Sequence, residues 1–219
     1  MKKKLVMLFL MLFLASCSPT AKTPSILSDK LCGRTCWNNI VIGETTRDEL
    51  LQIISNLPNV EPETITVSET NGPLFDGDIS FVFNREPVNS KSAVNISAFT
   101  IDQIVVFIIF QGDLGLTIKD VIEEFGEPEW VSSVWTFSDD VNVNFINSLE
   151  GIGFVCNFEN KNSSISPNTE IHNLSIFDIT LYETFLKANW LNPGHKDFIM
   201  YPWTGYGKIE EYYGNPPVK

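Results

Sequence analysis

Residues 115–126, Gly115-Leu116-Thr117-Ile118-Lys119-Asp120-Val121-Ile122-Glu123-Glu124-Phe125-Gly126, spell out a helix with both of its ends marked. Thr117 is placed as the N-cap, because its hydroxyl can accept from the amide three residues on. Asp120 can reach back to the cap amide, a short version of the capping box. Val121, Ile122 and Phe125 recur at helical spacing and give the helix one apolar face. Gly126-Glu127-Pro128 stops it. A second copy of the device stands 71 residues upstream in Gly43-Glu44-Thr45-Thr46-Arg47-Asp48-Glu49-Leu50-Leu51-Gln52-Ile53-Ile54, with one extra residue after Gly43. There Thr46 and Glu49 form the capping box, Leu50, Leu51 and Ile54 make the apolar face, and Leu57-Pro58 ends the helix.

Each predicted helix is followed by strand-like runs. After the first come Thr64–Ser68, Ile79–Phe83, Ala93–Ser97 and Ile104–Phe110. After the second come Val131–Phe137, Val141–Phe145, Ile152–Phe158 and Ile171–Phe177. Val141, Val143 and Phe145 alternate with Asn142 and Asn144, as in a sheet with one wet face. Asn71-Gly72-Pro73 and Ser138-Asp139-Asp140 supply turns. The expected fold class is therefore α+β: two repeats of a helix plus about four antiparallel strands. The first repeat is placed at 31–111 and the second at 112–180. A third helix over Leu181–Trp190 and an irregular aromatic strap fill 181–219.

The amino terminus has a different character. Lys2, Lys3 and Lys4 precede an apolar run from Leu5 to Leu14, and Ala15-Ser16 lead to Cys17. A basic start, a short apolar core and small residues before a cut make a secretory signal over 1–16. Ten apolar residues are too few to span a bilayer core of about 30 Å as a helix. Residues 17–30, rich in Ser, Thr, Pro and Lys, are predicted to be a tether. The chain carries a formal charge of −12, and loss of the three leader lysines makes it more acidic still. Such a surface repels nucleic acid, so no nucleic-acid partner is expected.

Two resemblances sharpen these expectations. Leu14-Ala15-Ser16-Cys17 resembles the lipobox of bacterial lipoproteins, which implies diacylglyceryl attachment to the Cys17 thiol, cleavage before it and acylation of the new amino end. The implied location is extracytoplasmic, lipid-anchored to the cell membrane or the outer membrane. Ser18 is not the aspartate that resembles an inner-membrane retention signal. The stretch Gly115-Leu116-Thr117 through Val121, Phe125-Gly126 and Pro128 is similar to the Gly-Met-Thr…Val…Leu-Gly-x-Pro signature of two groups. These are the SmpA/OmlA lipoproteins of outer-membrane assembly and the β-lactamase-inhibitor-protein-like domains. The first copy departs from the signature, with Glu44-Thr45 in place of one apolar residue and no Gly-x-Pro ending. Cys32-x-x-x-Cys36-Trp37-Asn38-Asn39-Ile40 is also similar to uncharacterised lipoproteins with a Cys-Trp segment. These resemblances imply a non-catalytic, protein-binding role in the cell envelope, with a protein partner of unknown identity and no cofactor.

Beyond the anchor, three cysteines remain. Cys32 with Cys36 closes a short loop, and this pairing is the expectation. A bond from that segment to Cys156 would instead staple the amino-terminal segment to the sheet. Neither a metal site nor an enzyme is expected. The histidines are only His172 and His195, there is no Gly-x-Ser-x-Gly elbow, and no phosphate-cradling glycine loop occurs. A Cys156–His172 pair is weighed against a buried apolar filler beside a surface histidine, and the filler is preferred. Asp76-Gly77-Asp78 is read as a turn in preference to a calcium loop. Glu123, Glu124, Glu127 and Glu129 read as a solvated helix face and end. Tyr201, Trp203 and Tyr206 lead an aromatic cluster that also holds Tyr212 and Tyr213. Their rings suit glycan or cell-wall stacking, the alternative function, but a strap whose rings fill gaps over the sheet is preferred. Trp37 is expected to plug the core.

Overall fold

The computed structural model describes residues 26–27, 31–33, 35–69, 74–85, 93–135, 140–160, 162–188, 191 and 199–212. Cys17 and the leader, Asn71-Gly72-Pro73, Ser138, Asp139, Trp190, His195 and Tyr213 lie outside the described residues. The strands are β1 (Leu31–Gly33), β2 (Cys36–Trp37), β3 (Ile40–Val41), β4 (Thr66–Glu69), β5 (Gly77–Asn84), β6 (Ala93–Ile101) and β7 (Ile104–Gly112). They continue with β8 (Trp130–Trp135), β9 (Val141–Asn147), β10 (Ile152–Phe158), β11 (Ser164–Ile165), β12 (Asn173–Phe177), β13 (Tyr201–Pro202) and β14 (Gly207–Lys208). The α-helices are α1 (Arg47–Ser55), α2 (Ile118–Phe125) and α3 (Tyr182–Lys187).

Nine of these strands form one antiparallel sheet in the order β13-β8-β9-β10-β12-β7-β6-β5-β4. This overturns the expected α+β arrangement of two helix-plus-strand repeats. Among the described residues the molecule is mostly β, and the α-helices are short, of nine, eight and six residues. The physical reason lies in β7. Its apolar run Ile104–Phe110 leaves no wet face, which marks a strand covered on both sides. Closing a first repeat with that strand would leave its outer backbone groups unpaired at an apolar edge, an aggregation hazard. The edge is satisfied by β12, through a register from Asn173↔Gln111 to Phe177↔Phe107.

Two of the short hairpins turn on non-glycine residues with φ above zero. Asn38 and Asn39 (φ 49° and 67°) join β2 to β3, and Asp102 and Gln103 (φ 50° and 64°) join β6 to β7. Two-residue loops of this kind match the twist of the flanking strands.

Both capping boxes are present. Thr46 Oγ1 accepts from the Glu49 N–H (3.2 Å) and Glu49 Oε2 accepts from the Thr46 N–H (2.9 Å). At α2 the Asp120 N–H donates to Thr117 Oγ1 (3.3 Å) and the Thr117 N–H donates to Asp120 Oδ2 (2.8 Å). The helices lay Leu50, Ile54, Ile118, Val121 and Phe125 on one face of the sheet, against Phe81, Ile96, Phe110, Ile176 and Phe154. Trp37 lies in this core with its ring 5.1 Å from Phe110 and 5.4 Å from Phe83.

A smaller cluster covers one end of the opposite face, where Phe185 of α3 packs with Phe75, Phe107 and Phe177. The third helix is thus shorter than Leu181–Trp190 and is preceded by a 3₁₀ turn at Ile179–Leu181.

Two further departures concern the chain ends. Within the stretch read as a tether, Ile26 and Leu27 are buried. The Ile26 N–H donates to Leu114 O (3.0 Å), and Trp37 Nε1 donates to Ile26 O (3.1 Å). The tail read as irregular is sewn onto the molecule: Tyr201 pairs with Val131, and Gly207 pairs with Ile165.

Candidate functional site

The sheet face opposite α1 and α2 carries a row of side chains that stand directly across from one another. The registers run Val82–Asn95–Gln111–Asn173–Val155–Asn144–Ser132, from β5 through β6, β7, β12, β10 and β9 to β8. Direct partners in antiparallel pairs share a face. Each step between strands is about 4.8 Å, so four amides and a hydroxyl line up across the sheet with two valines among them.

The neighbouring row is Ser80–Ser97–Ile109–Ser175–Gly153–Ile146–Trp130. Neither row holds an ionisable side chain, in a chain whose formal charge is −12.

Asn95 and Gln111 are exposed, Asn173, Ser175 and Val155 are half-buried, and Asn144 is buried. Ser80 and Ser97 hydrogen-bond across the strands (2.9 Å), and Asn144 Nδ2 donates to Ser132 Oγ (3.5 Å). Ile109, Gln111, Asn144, Val155, Ser175 and Leu191 help to line a shallow hollow of about 140 Å³ on this face. Among the described residues the two rows offer hydrogen-bond donors and acceptors with apolar spacers, suited to polar recognition, and the nearest carboxylate on that face is Asp78, one row beyond Ser80 on β5. Sequence alternation placed Asn142 and Asn144 on a wet face, but Asn144 is buried and Asn142 only half-buried. The full row needed the order of non-consecutive strands.

A larger cleft, about 380 Å³, lies where β7 and β12 meet the start of α2, lined by Asp113, Thr117, Glu170 and His172 among others. Asp113 is paired with Arg85 (2.8 Å), whose side chain is 3% exposed. The Thr117 hydroxyl donates to Asp120 (2.7 Å) as part of the helix cap. The cleft's hydroxyl and one of its carboxylates are thus committed to structure.

The remaining predicted residues fall as follows. Cys32 and Cys36 are bonded to each other, and Cys156 is a buried free thiol. Burial pushes the Cys156 thiol far above its ordinary value, which suppresses the thiolate that a cysteine nucleophile needs. The His172 N–H donates to Val155 O (3.0 Å), beside the Cys156 strand, and the thiol itself faces the core. Asp76 is part of a turn: it accepts from Thr100 Oγ1, from the Gln103 N–H (3.0 Å) and from Gln103 Nε2 (3.4 Å). Among the described residues no group of three His, Cys, Asp or Glu side chains is placed to hold a metal ion.

The aromatic tail is divided in its roles. Trp203 packs edge-on to Phe145 (5.5 Å) and stacks on Tyr212 (5.9 Å). The Tyr212 hydroxyl donates to Gly205 O. Tyr201 is half-buried in β13, and Tyr206 is 44% exposed and edge-on to Trp203 (5.6 Å). Partial burial, with help from Glu127 and Glu123, raises the Tyr206 phenol above its ordinary value. The three rings do not form one open platform.

No family model, curated protein or solved structure matches the chain. Among the described residues no helix is long and apolar enough to cross a membrane.

Proposed function

We propose that the protein is an extracytoplasmic lipoprotein, anchored through Cys17, that binds another envelope protein through the uncharged amide row of its sheet face without catalysing a reaction. The observation that carries this reading is the in-register amide row, with Asn95, Gln111 and Asn173 opposite one another and no ionisable side chain in the row. Side-chain amides donate and accept at once, so they pair with peptide groups and with polar side chains of a partner. Uncharged residues in an acidic molecule also spare the interface the cost of desolvating charge. The anchor rests on the leader: a basic start, an apolar core and Ala15-Ser16 before Cys17. The aromatic tail favours the strap, since Trp203 is engaged with Phe145 and Tyr212.

Photocrosslinking amino acids placed at Asn95 and Gln111 test the reading in native envelopes, with exposed Glu124 on the helix side as control. A discrete protein adduct formed from Asn95 and Gln111, and missing from Glu124, is the expected result. Equal labelling from all three positions, or adducts with glycan only, would sink it.

A further inference from the structure

Ile26 is fully buried, hydrogen-bonded through its N–H to Leu114 O (3.0 Å) and through its carbonyl to Trp37 Nε1 (3.1 Å). Ile26 is the first of the described residues, and nine residue steps separate it from Cys17. Whatever its conformation, a stretch of nine residues reaches at most about 32 Å.

Leu114 follows the end of β7, so Ile26 sits at the end of the sheet where β7 runs out and Asp113 meets Arg85. The opposite end holds the β6–β7 turn at Asp102 and the β9–β10 turn with Leu149, which is 73% exposed. A nine-residue strand such as β7 separates the two ends by about 30 Å.

We infer that Ile26 pins the lipid tether to one end of the sheet, so that the domain stands on the bilayer with its strands upright and the β7 terminus lowest. This rests on the lipid anchor proposed above. Gln111 is the penultimate residue of β7, and the amide row crosses the strands. The row then runs parallel to the membrane and close to it. The partner that fits such a surface is a protein lying in or along the same membrane, presented to Asn95, Gln111 and Asn173 at that height. Glu170 at the lower end is exposed and its charge repels anionic headgroups, while the charge of Asp113 is balanced by Arg85.

The test uses the full lipidated protein in phosphatidylcholine vesicles containing a trace of rhodamine-labelled phosphatidylethanolamine. A fluorescent maleimide is placed on Glu170→Cys at the lower end or on Leu149→Cys at the upper end. Both positions are exposed, and buried Cys156 does not compete for the label. Mass analysis of the amino-terminal peptide first shows whether Cys17 is acylated; an unmodified peptide overturns the anchor itself. With the acyl group in place, energy transfer several-fold stronger from position 170 than from position 149 is expected. A long Gly/Ser insertion between Lys22 and Thr23 should abolish that difference while acylation persists. Equal transfer from the two positions without the insertion, or stronger transfer from position 149, would overturn the inferred orientation and leave the anchor standing.

Discussion

Trp203 shows how a single side chain can carry two opposed terms. Its ring packs on Phe145 and Tyr212, while its Nε1 is buried with no hydrogen-bond partner among the described residues. An unmet donor costs about 1–3 kcal/mol. Trp203→Phe removes that donor and keeps most of the packing, so its urea midpoint should stay close to the parent's. Trp203→Ala should lose on the order of 3 kcal/mol. Equal losses in the two variants would mean that the N–H is satisfied in solution.

Asp76 belongs to the same scale. Burial pushes its carboxyl up, but hydrogen bonds from Thr100 and Gln103 more than offset that and hold it below the ordinary aspartate value. A depressed native value means that the charged form stabilises the fold above the unfolded-state pKa, with the contribution lost as pH falls through the native one. The stability gap between the parent and Asp76→Asn should therefore be full at neutral pH and close in acid, as read by urea unfolding across pH. A gap that does not change with pH would remove the carboxylate's charge from the account. The same residues show why a calcium reading of Asp76-Gly77-Asp78 fails on local chemistry. Both Asp76 oxygens already serve the β6–β7 turn.

At the scale of elements, the two caps were legible because they depend on neighbours three residues apart. Thr46 with Glu49, and Thr117 with Asp120, need nothing from the rest of the chain. Thr46→Ala and Thr117→Ala should each cost about 1 kcal/mol. With no shared partners their effects should add in the double variant, and a large departure from additivity would show that the helices are coupled through the sheet. The third helix was legible only in part. Its Phe185 packs with Phe75, Phe107 and Phe177, residues that lie in separate segments and whose common location no local pattern announces. The amino-terminal hairpin was missed for a related reason. Strands of two or three residues have no periodicity to read, although Asn38-Asn39 between Trp37 and Ile40 is a turn signal.

For the whole molecule, what could not be read was how the two halves meet. Alternation located the strands, but strand order depends on pairings between distant segments, and β12 beside β7 is such a pairing. The amide row was hidden for the same reason, since Gln111 and Asn173 are neighbours only through that contact. The contact also changes the expected energetics. Two separate repeats would unfold independently, whereas a sheet continuous from β4 to β13 should transmit a loss at one side to the other. Phe81, 2% exposed on β5, lies on one side of the junction, and β9 and β10 lie on the other. Phe81→Ala removes about 3–5 kcal/mol of core packing. Native-state hydrogen exchange should then show the slowest amides of β9 and β10 losing as much protection as those of β5 and β6, the signature of one cooperative unit. Loss confined to β5 and β6 would mean that the β7–β12 ladder joins two separately stable halves. The amide row would then span a movable joint, and a partner lying across Gln111 and Asn173 would have to fix that joint in order to bind.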